Sequence, residues 1–177
     1  MYRLNFVWSV VLILIALFSE RRTSAERTRI PASTDFLLCR HCGFNIAAGS
    51  TVSNIKSPAA LGSYNQTLFG VEGVLVQTLR NPLGIEFEVV TAKGGTCIGS
   101  AQTWQTEHTW FPGHAWKACT CSRCSRLIGW VFEPLQTAEA VRAFASPNGF
   151  YAFILDNVIS EAYADSLLVS PKITSYS

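Results

Sequence analysis

Two kinds of residue in this chain stand at spacings that suit chemistry: cysteines in pairs and tryptophans in a cluster. Cys39-Arg-His-Cys42 and Cys121-Ser-Arg-Cys124 are two CxxC pairs. A CxxC turn presents two thiolates at the separation a tetrahedral zinc ion needs, and two such turns complete its four ligands. Gly43 follows Cys42 directly, which suits a tight knuckle because glycine takes a positive φ at no steric cost. The pairs lie further apart than those of a zinc ribbon, so the metal would join the beginning and the end of one domain. Four cysteines leave no open position for a bound water, which makes the site structural. Six cysteines also allow a disulfide framework in a secreted chain. Cys97 and Cys119 are left over from the zinc set, and whether they bridge to each other is open on sequence grounds.

The aromatic signal surrounds the second pair. Glu107-His-Thr-Trp110-Phe-Pro-Gly-His-Ala-Trp116 precedes it and Ile128-Gly-Trp130-Val-Phe132 follows it. Trp130 and Phe132 alternate, so on a strand they share one face. Pro112-Gly113 is a turn dipeptide that can fold Trp110 and Trp116 towards each other. Three indoles and a phenyl then form a box of apolar, negatively polarised faces. Such a box fits a flat ring whose polar edges meet partners at the mouth. The same faces would hold a quaternary ammonium, but within residues 107–132 only Glu107 supplies a carboxylate, which favours a neutral guest. The plainer alternative is that these rings fill the core of a small β domain.

The elements that must position these groups read as strands. Phe36–Cys39 runs into the first knuckle and residues 44–46 lead back out. Residues 47–65 are rich in Ser, Gly, Ala and Asn and read as a long loop carrying the glycosylation acceptor Asn65-Gln-Thr67. Residues 71–79 and 85–91 are β-rich and flank the turn Asn81-Pro82-Leu83-Gly84. Lys93-Gly-Gly95 is expected to close a further hairpin onto a stretch beginning at Cys97. Residues 127–132 read as a strand and 150–155 as the last one. Residues 137–145, with Ala, Glu and Arg and no Gly or Pro, make the best helical window. The expectation is a mainly antiparallel β domain over 36–160, after a leader at 26–35 and before a tail at 161–177.

The N-terminus carries the pattern of a secretory signal peptide over 1–25. Arg3 is followed by an apolar run from Phe6 to Phe18 and then by Thr23-Ser24-Ala25. That run is short for a bilayer span, so cleavage and secretion are expected, with no stable membrane insertion. Without residues 1–25, which hold Arg3, Glu20, Arg21 and Arg22, basic and acidic side chains balance. Phosphate binding needs a basic patch, and its absence here argues against nucleic acid. A monomer is expected.

Together, His108-Thr-Trp110-Phe-Pro-Gly-His-Ala-Trp116, Cys121-x-x-Cys124, Ile128-Gly-Trp130-Val-Phe132 and Asn81-Pro82 resemble the CULT domain family, the thalidomide-binding domain found in cereblon. The resemblance runs from Phe36 to about Phe153, and a free-standing domain behind a signal peptide is similar to the small secreted members. It implies a β-tent, two antiparallel sheets pinned by a zinc site of four cysteines at Cys39, Cys42, Cys121 and Cys124. It further implies a cage of Trp110, Trp116 and Trp130 over Phe132 that binds cyclic imides or uridine-like rings. His108 and the backbone around Trp110 would hydrogen-bond the imide, with Asn81 and Pro82 at the rim. His114 stands where the family has a tyrosine, and the helical segment that docks a ubiquitin ligase is not matched. Two other functions stay in view. B-type methionine sulfoxide reductases share this zinc-pinned fold, but would need Cys97 or Cys119 as nucleophile. A protein-interaction domain would need no small ligand.

Overall fold

A computed structural model describes residues 35–168; the expected signal peptide, all of the expected leader except Asp35, and the end of the tail lie outside the described residues. The described chain is mainly β, with two antiparallel sheets that form a β-tent. The smaller sheet holds β1 (Phe36–Cys39), β2 (Asn45–Ala48) and β11 (Val158–Ser160) in the order β11-β1-β2. The larger holds β3 (Val52–Ser53), β4 (Gly62–Leu68), β5 (Val71–Arg80), β6 (Glu86–Ala92), β7 (Ile98–Gly99), β8 (His114–Thr120), β9 (Leu127–Pro134) and β10 (Phe150–Ile154). Its order is β4-β5-β6-β10-β9-β8-β7, with β3 pairing on β6.

The core follows from period-two alternation on the central strands. On β10, Tyr151 and Phe153 enter one apolar cluster with Leu37, Ile46, Val74, Val76 and Val90, under the smaller sheet. Phe150, Ala152 and Ile154 enter a second cluster with Leu79, Val89, Trp110, Phe111 and Phe132. β9 divides in the same way, with Val131 in the first cluster and Trp130 and Phe132 in the second. β10 is buried along its whole length, so both of its faces drive the packing.

Four sequence expectations need correction. Residues 137–145 form turns and no helix. Their carbonyls are taken by distant groups: Glu139 O by the Trp104 indole N–H (2.7 Å), Ala140 O and Arg142 O by the Lys117 ammonium (3.0 and 3.2 Å), and Ala143 O by the Gly99 N–H (2.8 Å). Tertiary partners here override local propensity. The segment 47–65 is not a continuous loop, since it contains a 3-10 turn at Gly49–Thr51, β3 and most of β4, and Asn65 stands in β4. Lys93-Gly-Gly95 closes no hairpin. It carries the chain from the 3-10 turn to the smaller sheet: Lys93 N–H bonds Thr51 O of that turn and Thr96 N–H bonds Ile46 O of β2, both at 2.8 Å. Strand 150–155 is not the last in the chain, because β11 follows β10, which itself lies between β6 and β9. Among the described residues the α-helix is α1 (Glu161–Ser166), capped by Ser160 and tied to the carboxylate of Asp35 through Ser160 Oγ (2.7 Å) and Ala162 N (3.1 Å).

Candidate functional site

The pin between the sheets is built from two matching knuckles. In the first, Cys39 N–H bonds Phe44 O (2.7 Å) and Gly43 N–H bonds Cys39 O (2.8 Å). In the second, Cys121 N–H bonds Arg126 O (2.8 Å) and Ser125 N–H bonds Cys121 O (2.9 Å). Each turn needs a left-handed residue at the same place, met by Gly43 (φ 70°) and by Ser125 (φ 59°). The serine gave no warning in the sequence, because L-residues rarely adopt that region. One knuckle ends β1 of the smaller sheet and the other joins β8 to β9 of the larger.

The four Sγ atoms lie within 4.8 Å of one another. Cys39–Cys124 and Cys42–Cys121 stand 3.7 Å apart, and all four cysteines are free of disulfides. Zinc–sulfur bonds of about 2.3 Å arranged as a tetrahedron require sulfur–sulfur edges of about 3.8 Å, so the donor set fits the ion. Four thiols this close resist ionising together. Burial pushes Cys42 up to about 12, while the backbone N–H of Arg126 draws Cys124 down to about 7. A divalent cation removes the conflict by stabilising all four thiolates. The site is a structural zinc centre, buried at Cys39 and Cys121.

Cys97 and Cys119 form a disulfide (Cα–Cα 5.5 Å). It lies fully buried in the cluster under the smaller sheet, whereas Trp110, Trp116 and Trp130 belong to the other cluster. The sulfoxide-reductase reading thereby loses both of its candidate nucleophiles.

The second centre is a cavity of about 190 Å³ on the other side of the large sheet, lined by Asn81, Pro82, Leu83, His108, Trp110, Trp116, Trp130 and Phe132. Trp130 and Phe132 reach it from one face of β9, and Trp116 from β8. Trp110 and His108 come from the strap before β8, and Asn81-Pro82-Leu83 from the β5–β6 turn. Trp110 and Trp130 meet nearly perpendicular, with centroids 4.6 Å apart and planes at 74°. Phe87 backs Trp130 edge-on at 5.1 Å, and Phe132 stacks on Phe150 at 5.2 Å while Phe111 meets both edge-on. Tilted and edge-to-face pairs of this kind are worth about 0.5–1.5 kcal/mol beyond their burial.

Hydrogen bonds fix the rings. Trp110 Nε1 donates to Arg80 O and Trp116 Nε1 to Glu107 O, both at 2.9 Å. These two indoles therefore offer the cavity their faces and not their N–H groups. The Trp110 carbonyl accepts from buried Ser57 Oγ (2.5 Å), and Ser57 N–H in turn bonds Gln77 Oε1 (2.7 Å). Gln105 and Trp116 exchange backbone hydrogen bonds at 2.9 Å, anchoring the strap. His108 sits on that strap at φ 56°, exposed, in a conformation that costs free energy and collects at binding sites. Asn81 commits its Oδ1 to the N–H groups of Leu83 (3.0 Å) and Ile85 (2.9 Å), which leaves Nδ2 as its donor for a guest. His114 does not line the cavity; its ring packs edge-on against Phe150 and its Nδ1 lies 3.3 Å from Pro112 O. Leu83, Phe87, Ser57 and Gln77 escaped the sequence reading. Only Leu83 had a signal, as the next residue of the Asn81-Pro82 turn. Asn65, apart from both centres, is exposed on β4.

No family model matches the chain. Over 71 residues, 40% of its length, it is 34% identical to protein cereblon of Danio rerio and 36% identical to that of Gallus gallus. A match of the same extent to the Xenopus tropicalis protein is 34% identical. The chain spans only about 15% of the length of these relatives. In that stretch it is similar to cereblon.

Proposed function

We propose that the chain is a secreted, zinc-braced binding module whose tryptophan cavity takes a small neutral ring with polar edges, a cyclic imide such as glutarimide or a uridine-like ring. One observation carries this: three indoles, a phenyl and two polar side chains from separate stretches of the sequence meet around a single cavity. The indole N–H groups of Trp110 and Trp116 are tied back, so stacking comes from the rings. The polar edge then falls to Asn81, His108 and the backbone around Trp110. No carboxylate or thiol stands among the lining residues, which speaks for a neutral guest and for binding without reaction. The CULT resemblance and the similarity to cereblon support the same class of guest. Removal of residues 1–25, a glycan on Asn65, a domain over 36–160 and a monomeric state complete the reading. The disulfide supports an oxidising compartment.

The test is a titration of tryptophan emission with glutarimide, N-methylglutarimide, uridine and tetramethylammonium. Glutarimide should bind and quench. Its N-methyl analogue should bind more weakly by about 1–3 kcal/mol, the cost of leaving a buried acceptor unpaired. Equal binding of the two, or preference for the ammonium, refutes the imide reading.

A further inference from the structure

Open sheet edges are hazards, because their unpaired N–H and C=O groups template pairing with another strand. Most edges in this fold are short or covered. β7 has two residues and β11 three, and the outer carbonyls of β2 are taken by Thr96. β4 is different. Among the described residues it is the terminal strand of the large sheet, seven residues long, and exposed from Gly62 to Thr67. Its sequence, Gly-Ser-Tyr-Asn-Gln-Thr-Leu, contains no charge and no proline, the devices that usually blunt such an edge. A bulge interrupts it only near its far end, between Gln66 and Leu68.

The register shows which backbone groups are open. Asn65 faces Leu75 and Ser63 faces Gln77 on β5. Leu75 N–H points the other way, to Asn54 Oδ1 at 2.9 Å, and Gln77 is paired on its far side with Val89 of β6. Both couples with β4 are therefore non-hydrogen-bonded pairs, in which the backbone groups point outward. The N–H and C=O of Ser63 and Asn65 thus face the open edge. Asn65, one of these two residues, is also the acceptor of the sequon Asn65-Gln-Thr67.

We infer that a glycan on Asn65 guards β4 against pairing with β4 of a second copy of this chain. The bare edge is self-complementary. Run antiparallel about a two-fold axis, Ser63 of one copy meets Asn65 of its mate and the reverse, so each exchanges its outward groups in an isologous interface. No charge on β4 opposes this. A branched, hydrated sugar attached at the middle of the edge removes the room for a second strand. The inference rests on the secretory and glycosylated reading above.

The full chain is expressed in secreting mammalian cells beside Asn65→Gln and Thr67→Ala, each of which removes the sequon by a different residue. Glycan occupancy is read by mass spectrometry and molar mass by light scattering over a concentration series. The wild type should carry the sugar and scatter as single chains. Both variants should keep zinc and rise twofold in mass with concentration. Adding Ser63→Lys to Asn65→Gln should restore single chains, because a charge on the edge strand opposes its pairing. A glycosylated wild type whose two sugar-free variants remain single chains overturns the guard. So does association that Ser63→Lys fails to reverse. A secreted wild type without sugar at Asn65 overturns the glycosylation reading itself, and is told apart by mass alone.

Discussion

Trp116 is the cage wall whose removal disturbs the fold least. It is half-buried, whereas Trp110 and Trp130 are 8% and 9% exposed and sit in the core cluster. Trp116→Phe keeps a ring on β8 but deletes part of the stacking face and the N–H bond to Glu107 O. The lost face costs the guest about 0.5–1.5 kcal/mol, and the lost tether of the His108 strap about 0.5–1.5 kcal/mol more. The sum, about 1–3 kcal/mol, is roughly a 5- to 150-fold rise in Kd. The backbone bridge to Gln105 survives the change, so unfolding in urea should shift by about 1 kcal/mol or less. Calorimetric titration with glutarimide measures the first quantity. Trp104→Phe is the control, since its indole faces Glu139 O and the Lys117 ammonium, outside the cavity. Unchanged affinity in Trp116→Phe, or an equal loss in Trp104→Phe, would refute the assignment of this indole to the wall.

The zinc centre predicts about one zinc per chain by metal analysis, and a largely unfolded Cys124→Ser by circular dichroism, because structural zinc and folding are coupled. Protons compete for the four thiolates, so zinc retention should fall as the pH is lowered, read by a chromogenic chelator. Buried Glu133 predicts a second pH effect. Burial opposes its ionisation, but bonds from Ser146 N–H and the Thr137 hydroxyl, with Arg142 nearby, hold its carboxyl below the ordinary value of 4.5. A depressed folded pKa means stability that is present above the unfolded value and lost as pH falls through the folded one. Glu133→Gln should therefore cost about 1.5–3 kcal/mol at pH 7 in urea melts, with a smaller deficit below about pH 4.5; a deficit independent of pH counts against this.

What could be read from the sequence was what short motifs encode. Each CxxC turn carries its own geometry, and Trp130-Val-Phe132 carries its shared face by alternation, so the zinc ligands and the aromatic walls of the cavity were visible before any fold, while Asn81, Pro82 and His108 came from the family resemblance and Leu83 was missed. What escaped depends on contacts distant in sequence. Residues 137–145 have helical composition, yet Trp104 and Lys117, more than twenty residues away, claim their carbonyls. β4 read as loop because polar Ser, Asn, Gln and Thr suit a strand exposed on its outer side as well as they suit a coil. Ser57 and Gln77 brace Trp110 through buried hydrogen bonds, and neither belongs to any motif. The Cys97–Cys119 pairing needed β7 and β8 to be placed side by side.

The position of β10 sets an order of events in synthesis. This strand, the last long one in the described chain, lies at the centre of the large sheet, between β6 and β9. Its Ala152 carbonyl comes so close to Gly129 that any side chain there would collide. Until residues 150–154 leave the ribosome, β4-β5-β6 and β9-β8-β7 are two half-sheets with no strand between them, each showing an apolar face. The cage rings on β8 and β9 have no Phe150 behind them, and β1 still lacks its neighbour β11. Such sequence-distant closure slows folding, and a nascent chain halted before Phe150 presents the exposed surfaces that chaperones bind.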